Sequence, residues 1–190
     1  KESTLSNDFT LTYKKHSDMR YGENPHQAAS AFQIPGDKSN GILNAKIHQG
    51  KKLSYNNIMD ADAALSCLKE FKSTACVIVK HANPCGVALG ANMLDVYKRA
   101  FAADNISAFG GVIAINQPCD DLLAEEISKV FVEIILAPAF TKKSLDILSK
   151  KKNLRVLEVG NIEQRDPLLE VRNIVGRLIV QETDTSILPR

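Results

Sequence analysis

The chain has 190 residues, 44% hydrophobic and 24% charged, with a formal net charge of +2 at pH 7. That length and composition suit one globular unit with a real core and no need for metal or disulfide staples. A balance so near neutrality excludes a polybasic nucleic-acid arm or an acidic tail as the main business.

Residues 1–18 read as a polar lead-in, with Phe9, Leu11 and Tyr13 alternating as in a short edge strand. This start lacks the apolar stretch of a secretory signal and does not begin with Met, which points to a region upstream. Next comes an irregular stretch rich in turn formers, Arg20-Tyr21-Gly22-Glu23-Asn24-Pro25-His26-Gln27. Ala28–Gln33 suits a strand closed by Pro35-Gly36-Asp37. Helical spacing places Ala61, Ala64, Leu65, Leu68 and Phe71 on one face of a helix over Asp60–Phe71, with Asn56, Asn57 or Asp60 as its cap. Ala75–Val79 is the longest unbroken apolar run. It is far short of the roughly 20 residues of a membrane helix, and it suits a buried parallel strand. It ends in Lys80-His81 and a turn over Asn83-Pro84-Cys85-Gly86.

Further on, the pattern predicts helices over Asn92–Ala102, Asp120–Val132 and Thr141–Lys150. The first has Asn92 as its cap, and the last leads into Lys150-Lys151-Lys152, where cations suit the helix dipole. Short apolar runs at Val112–Ile115, Ile134–Ala137, Leu154–Val159 and Ile174–Val180 read as strands. Helices alternating with such runs imply a layered α/β domain with a mostly parallel sheet. The four cysteines, Cys67, Cys76, Cys85 and Cys119, form no C-x-x-C pair and read as free thiols in a reducing cytoplasm.

Ligands of open α/β sheets gather at the carboxyl ends of strands, which makes Lys80-His81 the first candidate site. A Lys beside a His favours the neutral imidazole, a base near pH 7, and its ammonium can steady an oxyanion. The pair suits acyl transfer; a strand end meeting water would also use such residues. An Arg20 fork and the Tyr21 hydroxyl suit a phosphate, with Gly22 allowing close backbone approach; a packed surface loop is the plainer alternative. Gly110-Gly111 can offer backbone N–H groups to a ligand or simply make a tight turn. Asn57 equally suits a helix cap. There is no P-loop, no dinucleotide fingerprint and no H-E-x-x-H. His81-Ala82-Asn83-Pro84-Cys85 partly matches the zinc deaminase pattern. However, Asn83 stands where the catalytic Glu belongs and Ala88 where the second Cys belongs. His16, His26 and His48 share no ligand spacing with any Cys, so no transition metal is expected.

Taken together, several segments are more specific than any one alone. They are Arg20 to Gln27, Leu53-Ser54-Tyr55-Asn56-Asn57 with Asp60-Ala61, Val79 to Gly86, Ala108-Phe109-Gly110-Gly111 and Glu133 to Pro138. In this order they closely resemble the transformylase part of the bifunctional purine-biosynthesis family. That family joins an aminoimidazole carboxamide ribonucleotide (AICAR) transformylase to an inosine monophosphate (IMP) cyclohydrolase. The resemblance runs from about Met19 to the end of the chain.

The resemblance implies formyl transfer from 10-formyltetrahydrofolate to the 5-amino group of AICAR, in the cytoplasm. The implied fold is a layered α/β/α one, similar to cytidine deaminase but without its zinc. His81 matches the family's catalytic base and Lys80 its transition-state stabiliser. Arg20, Tyr21, Asn57, Gly110 and Glu133 match nucleotide contacts, with Glu133 standing where some relatives use Asp. The implied partners are AICAR, a reduced folate and a second copy in a homodimer with shared active sites, with no nucleic acid and no membrane. On this view residues 1–18 are the join to an absent cyclohydrolase domain. Residues 19–190 are then the amino-terminal half of the transformylase domain, and the other half carries much of the folate pocket. Arg177 stands where Gly is expected. Two alternatives are a zinc nucleoside deaminase relative, which metal analysis would reveal, and a non-catalytic nucleotide-binding or assembly module.

Overall fold

The structure, a computed structural model, describes residues 8–162 and 169–184. Its centre is a six-stranded sheet in the order β3-β8-β7-β6-β4-β5. These strands are β3 (Lys46–Gln49), β4 (Thr74–Lys80), β5 (Asn83–Gly90), β6 (Val112–Ile115), β7 (Ile134–Ala137) and β8 (Arg155–Glu158). Two hairpins stand apart from it, β1 (Lys14–Asp18) with β2 (Ser30–Gln33), and β9 (Leu169–Ile174) with β10 (Arg177–Glu182). The helices are α1 (Tyr55–Leu68), α2 (Met93–Ala103), the single turn α3 (Asn105–Ala108), α4 (Asp121–Ile127) and α5 (Lys142–Leu148).

Strand alternation sorts the core into two layers. Cys76 and Ile78 of β4, Ile113 and Ile115 of β6, and Ile135 of β7 pack with Val96, Tyr97 and Ala100 of α2, Leu123 and Ile127 of α4, and Leu148 of α5. Ala75, Val77 and Val79, with Val112, Ala114, Ile134 and Leu136, meet Ala61, Ala64, Leu65 and Leu68 of α1 on the other face. The α/β/α layering expected from the sequence is therefore present.

The sheet is mixed rather than mostly parallel. Only β6–β7 and β7–β8 run parallel, while β3–β8, β4–β6 and β4–β5 are antiparallel. The apolar run of β4 reflects helices on both faces, and that cover, not strand direction, keeps polar residues out. The expected turn over Asn83–Gly86 is strand β5; the actual turn is His81-Ala82. Pro84 and Gly86 look like turn formers, but β5 is an edge strand with a register shift opposite Ile78/Val79, where proline is tolerated.

Other boundaries also move. α1 begins at Tyr55, not Asp60, because Ser54 caps it in a capping box with Asn57. α4 and α5 stop at Ile127 and Leu148, and the lysine run lies beyond the last turn of α5. Gln49 Nε2 of β3 serves that end, donating to the carbonyls of Leu148, Lys151 and Leu154. Phe9, Leu11 and Tyr13 form no strand; β1 starts at Lys14. The expected strand Ile174–Val180 is broken by the turn Val175-Gly176, and Arg177 is the first residue of β10. No helix among the described residues is long and apolar enough to cross a membrane.

All four cysteines are free. Burial pushes the Cys76 thiol far up and that of Cys119 to about 12. In the native protein, iodoacetamide at about pH 8 is expected to modify half-buried Cys67 and Cys85 and spare Cys76 and Cys119, read by peptide mass spectrometry. A second prediction concerns the close seating of α2 on β5. A Cβ on Gly86 would stand 2.1 Å from the carbonyl oxygen of Ala100. Gly86→Ala is expected to destabilise the fold by about 3 kcal/mol, lowering Tm by roughly 10 °C. The control Gly41→Ala, whose Cβ would meet nothing closer than Ser39 Oγ at 3.8 Å, should leave Tm nearly unchanged.

Candidate active site

The site is assembled around the first turns of α1. Ser54 Oγ accepts the Asn57 N–H, and Asn57 Oδ1 accepts the Ser54 N–H, both at 3.2 Å. With the helix start fixed, three side chains reach three different segments. Asn56 Nδ2 donates to the Glu23 carbonyl at 3.3 Å, tying down the loop that follows Arg20 and Tyr21. Asn57 Nδ2 donates to Glu133 Oε2 at 2.8 Å, at the start of β7. Asp60 Oδ1 accepts the Ala82 N–H at 2.6 Å, at the end of β4.

Lys80 and His81 are separated by a change of backbone hand. His81 and Ala82 have φ of 53° and 58°, and they form the two-residue link between Lys80 and Asn83, which pair across the hairpin. Two positive φ values mark the turns that such hairpins favour, usually built from Asn-Gly. Residues with a Cβ pay about 1–3 kcal/mol each for that conformation. The bend that the sequence reading called for is thus present, two residues earlier than expected.

The Lys80 ammonium donates to the Phe109 carbonyl at 2.8 Å. His81 is exposed and lines a cleft of about 260 Å³ with Glu23, Tyr55, Asn56, Met59, Asp60 and Ala82. The Asp104 carboxyl is held below its ordinary value, chiefly by hydrogen bonding from Ser107 and to a smaller degree by the Lys80 charge.

Behind Lys80 lie the glycines. Gly110 has φ of 71° and donates its N–H to the Phe131 carbonyl, while the Gly111 carbonyl accepts the Glu133 N–H. A Cβ on Gly111 would stand 3.0 Å from the Val79 carbonyl, so the segment passes tightly over the end of β4. Gly111, Glu133 and Asn57 are therefore joined by consecutive hydrogen bonds, with Gly110 next to them in the chain. Asn57 is not the cap itself but the capping-box partner of Ser54, and its amide also clamps Glu133. Arg20 stacks over the Tyr21 ring, 5.7 Å from its centroid. Neither residue lines the cleft; their loop reaches it through Glu23. A larger cavity of about 340 Å³, lined by Phe131 and Lys150–Lys152 among others, touches none of the candidate residues.

The zinc-like motif does not gather ligands. The Asn83 amide donates to the His81 carbonyl at 2.7 Å, and the Cys85 thiol turns inward to the Ile78 carbonyl. Among the described residues no three His, Cys, Asp or Glu side chains converge on a metal-sized site. Sequence reasoning missed Ser54 as the cap, offered Asp60 only as a candidate cap, and gave no role to Glu23. Ser54-x-x-Asn57 was a usable signal for the first, being one residue type away from a capping box.

The family model described as AICARFT/IMPCHase bienzyme matches residues 1–190. The chain is 49% identical over 178 residues to the bifunctional purine biosynthesis protein PurH of Leuconostoc citreum, covering 94% of this chain and 35% of that one. It is 47% identical over 179 residues to PurH of Bacillus cytotoxicus, with the same coverage. PurH of Bacillus cereus is 47% identical over 176 residues, 93% of this chain and 34% of its own length. The chain thus spans about a third of the length of the curated relatives it matches.

The Asn57–Glu133 bond is testable on stability alone. Asn57→Asp sets a carboxylate against Glu133, although Asp in a helix's first turn is ordinarily favourable. The variant is expected to lose about 1–3 kcal/mol near pH 8. The loss should shrink as pH falls toward 4, where protonating one carboxyl removes the repulsion. Chemical denaturation across pH reads both; a neutral substitution would show that the pair does not hold α1 to β7.

Proposed function

We propose, from the premise that the chain belongs to the AICARFT/IMPCHase bienzyme family, that it carries the reacting pair of the transformylase in purine biosynthesis. The reaction is formyl transfer from 10-formyltetrahydrofolate to the 5-amino group of AICAR. On this reading residues 19–190 are the amino-terminal half of the transformylase domain, and 1–18 lead from a cyclohydrolase domain. The IMP cyclohydrolase activity of the parent protein resides outside this segment. The fold belongs with the cytidine deaminases, without zinc. The working form is a cytoplasmic homodimer whose sites are shared across the interface.

The observation that supports this reading is the strained strand end that carries Lys80 and His81 side by side: His81 lines a cleft against α1, and Lys80 donates to the Phe109 carbonyl beside Gly110. The 5-amine is a poor nucleophile because its lone pair delocalises into the ring and carboxamide. His81 accepts its proton as the nitrogen attacks the formyl carbon. An ammonium has three donors and Lys80 spends one on Phe109, so the others remain for the tetrahedral oxyanion. The intermediate then collapses: the bond from the formyl carbon to the folate N10 breaks, and N10 leaves with the electron pair and takes up a proton. Arg20 and Tyr21 hold the phosphate from their loop. Glu133, with one oxygen on Asn57, offers the other to a ribose hydroxyl, and the Gly110 segment provides backbone contact.

Two measurements test the proposal. In the full-length protein, His81→Ala is expected to slow formyl transfer by on the order of 10²–10⁴-fold and leave cyclohydrolase activity nearly intact. Equal loss of both would indicate a folding defect, and no loss would remove His81 as the base. Calorimetric titration with AICAR, wild type beside Arg20→Ala, should show weaker binding in the variant; equal affinities would take Arg20 off the phosphate. Stoichiometric zinc in the purified protein would favour the deaminase alternative.

A further inference from the structure

A hairpin link with two positive φ values ordinarily recruits glycine or asparagine, and this one holds His81 and Ala82. Something outside the turn must keep it in place. The Ala82 N–H is held at 2.6 Å by Asp60 Oδ1, a side chain 22 residues earlier in the chain and on another element. Among the described residues the other side-chain support on the link is Asn83, whose amide donates to the His81 carbonyl. Asp60 is itself firmly placed. It lies one turn along α1 from Asn56, which is bound to Glu23, and three residues from Asn57, which is bound to Glu133. It also lines the same cleft as His81.

We infer that Asp60 is a positioning residue for His81: through the Ala82 amide it fixes the backbone bend that aims the imidazole into the cleft. The inference rests on the proposed role of His81 as the base. Asp60 takes no proton in it; its contribution is a lone pair directed at a backbone N–H. Without that acceptor, Ala82 is free to leave the left-handed region, and the Cα–Cβ vector of His81 turns with it. Misplacing a reacting group by about 1 Å can cost up to about 100-fold in rate.

The test uses the full-length protein and four variants. Asp60→Ala is expected to lower kcat for formyl transfer by roughly 10–100-fold with little change in the KM for AICAR. Asp60→Asn keeps an acceptor oxygen and should stay within a few-fold of wild type. Adding Ala82→Gly to Asp60→Ala removes the Cβ from the strained position and should recover part of the lost rate. Hydrogen exchange at the Ala82 amide should quicken in Asp60→Ala while amides within α1 keep their protection. His81→Ala run in parallel separates the two ideas. If His81→Ala abolishes transfer and Asp60→Ala does not, the positioning role alone falls. If His81→Ala leaves transfer intact, the reading of His81 falls, and the positioning role falls with it. If Asp60→Asn loses as much as Asp60→Ala, charge and not the hydrogen bond is at work, and the inference is overturned.

Discussion

The candidate site depends on where one helix begins. The reciprocal bonds of Ser54 and Asn57 fix the first turn of α1, and a rotation of about 100° per residue then decides where every later side chain points. Asn57 falls on the stripe of Ala61, Ala64, Leu65 and Leu68 and faces the sheet, where it meets Glu133. Asn56 and Asp60, four residues apart, share the neighbouring stripe and reach the Glu23 carbonyl and the Ala82 amide. A slip of one residue in the helix start would swing all three away from their partners together. The apolar stripe that holds α1 to the sheet and the polar stripe that gathers the loops are therefore set by one capping arrangement.

That arrangement also explains the end of the sheet at which the candidate residues collect. The rule for open parallel sheets directs attention to the carboxyl ends of strands. Lys80 does lie at the carboxyl end of β4, but β4 runs antiparallel to β6. The same rim therefore holds the amino ends of β6, β7 and β8, and the carboxyl ends of the parallel strands lie on the opposite side. What marks this rim is backbone approach: Gly111 crosses within reach of the Val79 carbonyl, and Phe109 turns its own carbonyl to Lys80. A residue with a Cβ at 111 would press on backbone that has no freedom to yield.

Elements whose signal is local were legible in the sequence. α2 shows its Asn92 cap and its apolar face of Val96, Tyr97 and Ala100, and β6 and β7 show unbroken buried runs. Elements whose signal is relational were not. β3 has no fully buried residue, since an edge strand leaves one side unpaired and its pattern is weak. β5 hides behind Pro84 and Gly86, whose meaning as edge and helix-approach residues appears only once α2 is seated on it. The start of α1 carries exposed Tyr55, Asn56 and Met59, so apolar spacing begins late and points to a helix start at Asp60. The same holds for the site. Lys80 and His81 could be found from the strand that precedes them, whereas Asp60 acts on a backbone amide that no side-chain pattern reveals.

The polar geometry at Lys80 and His81 differs in kind. Lys80 is half-buried and already spends one donor on a carbonyl, so its ammonium is aimed before any ligand arrives. A charge held in that way keeps its direction and costs little reorganisation when an anion forms nearby. His81 is exposed, and its ring meets no polar partner among the described residues, so only the backbone bend directs it. Water can occupy the lone pair of an exposed imidazole, and it must leave before the ring can take a proton from a bound group. In the proposed reading that water is displaced by whatever covers the cleft, whether bound substrate or a further part of the enzyme. The order of events follows from it: the cation is set by the fold, the base is set by the turn, and the two become one site when water leaves.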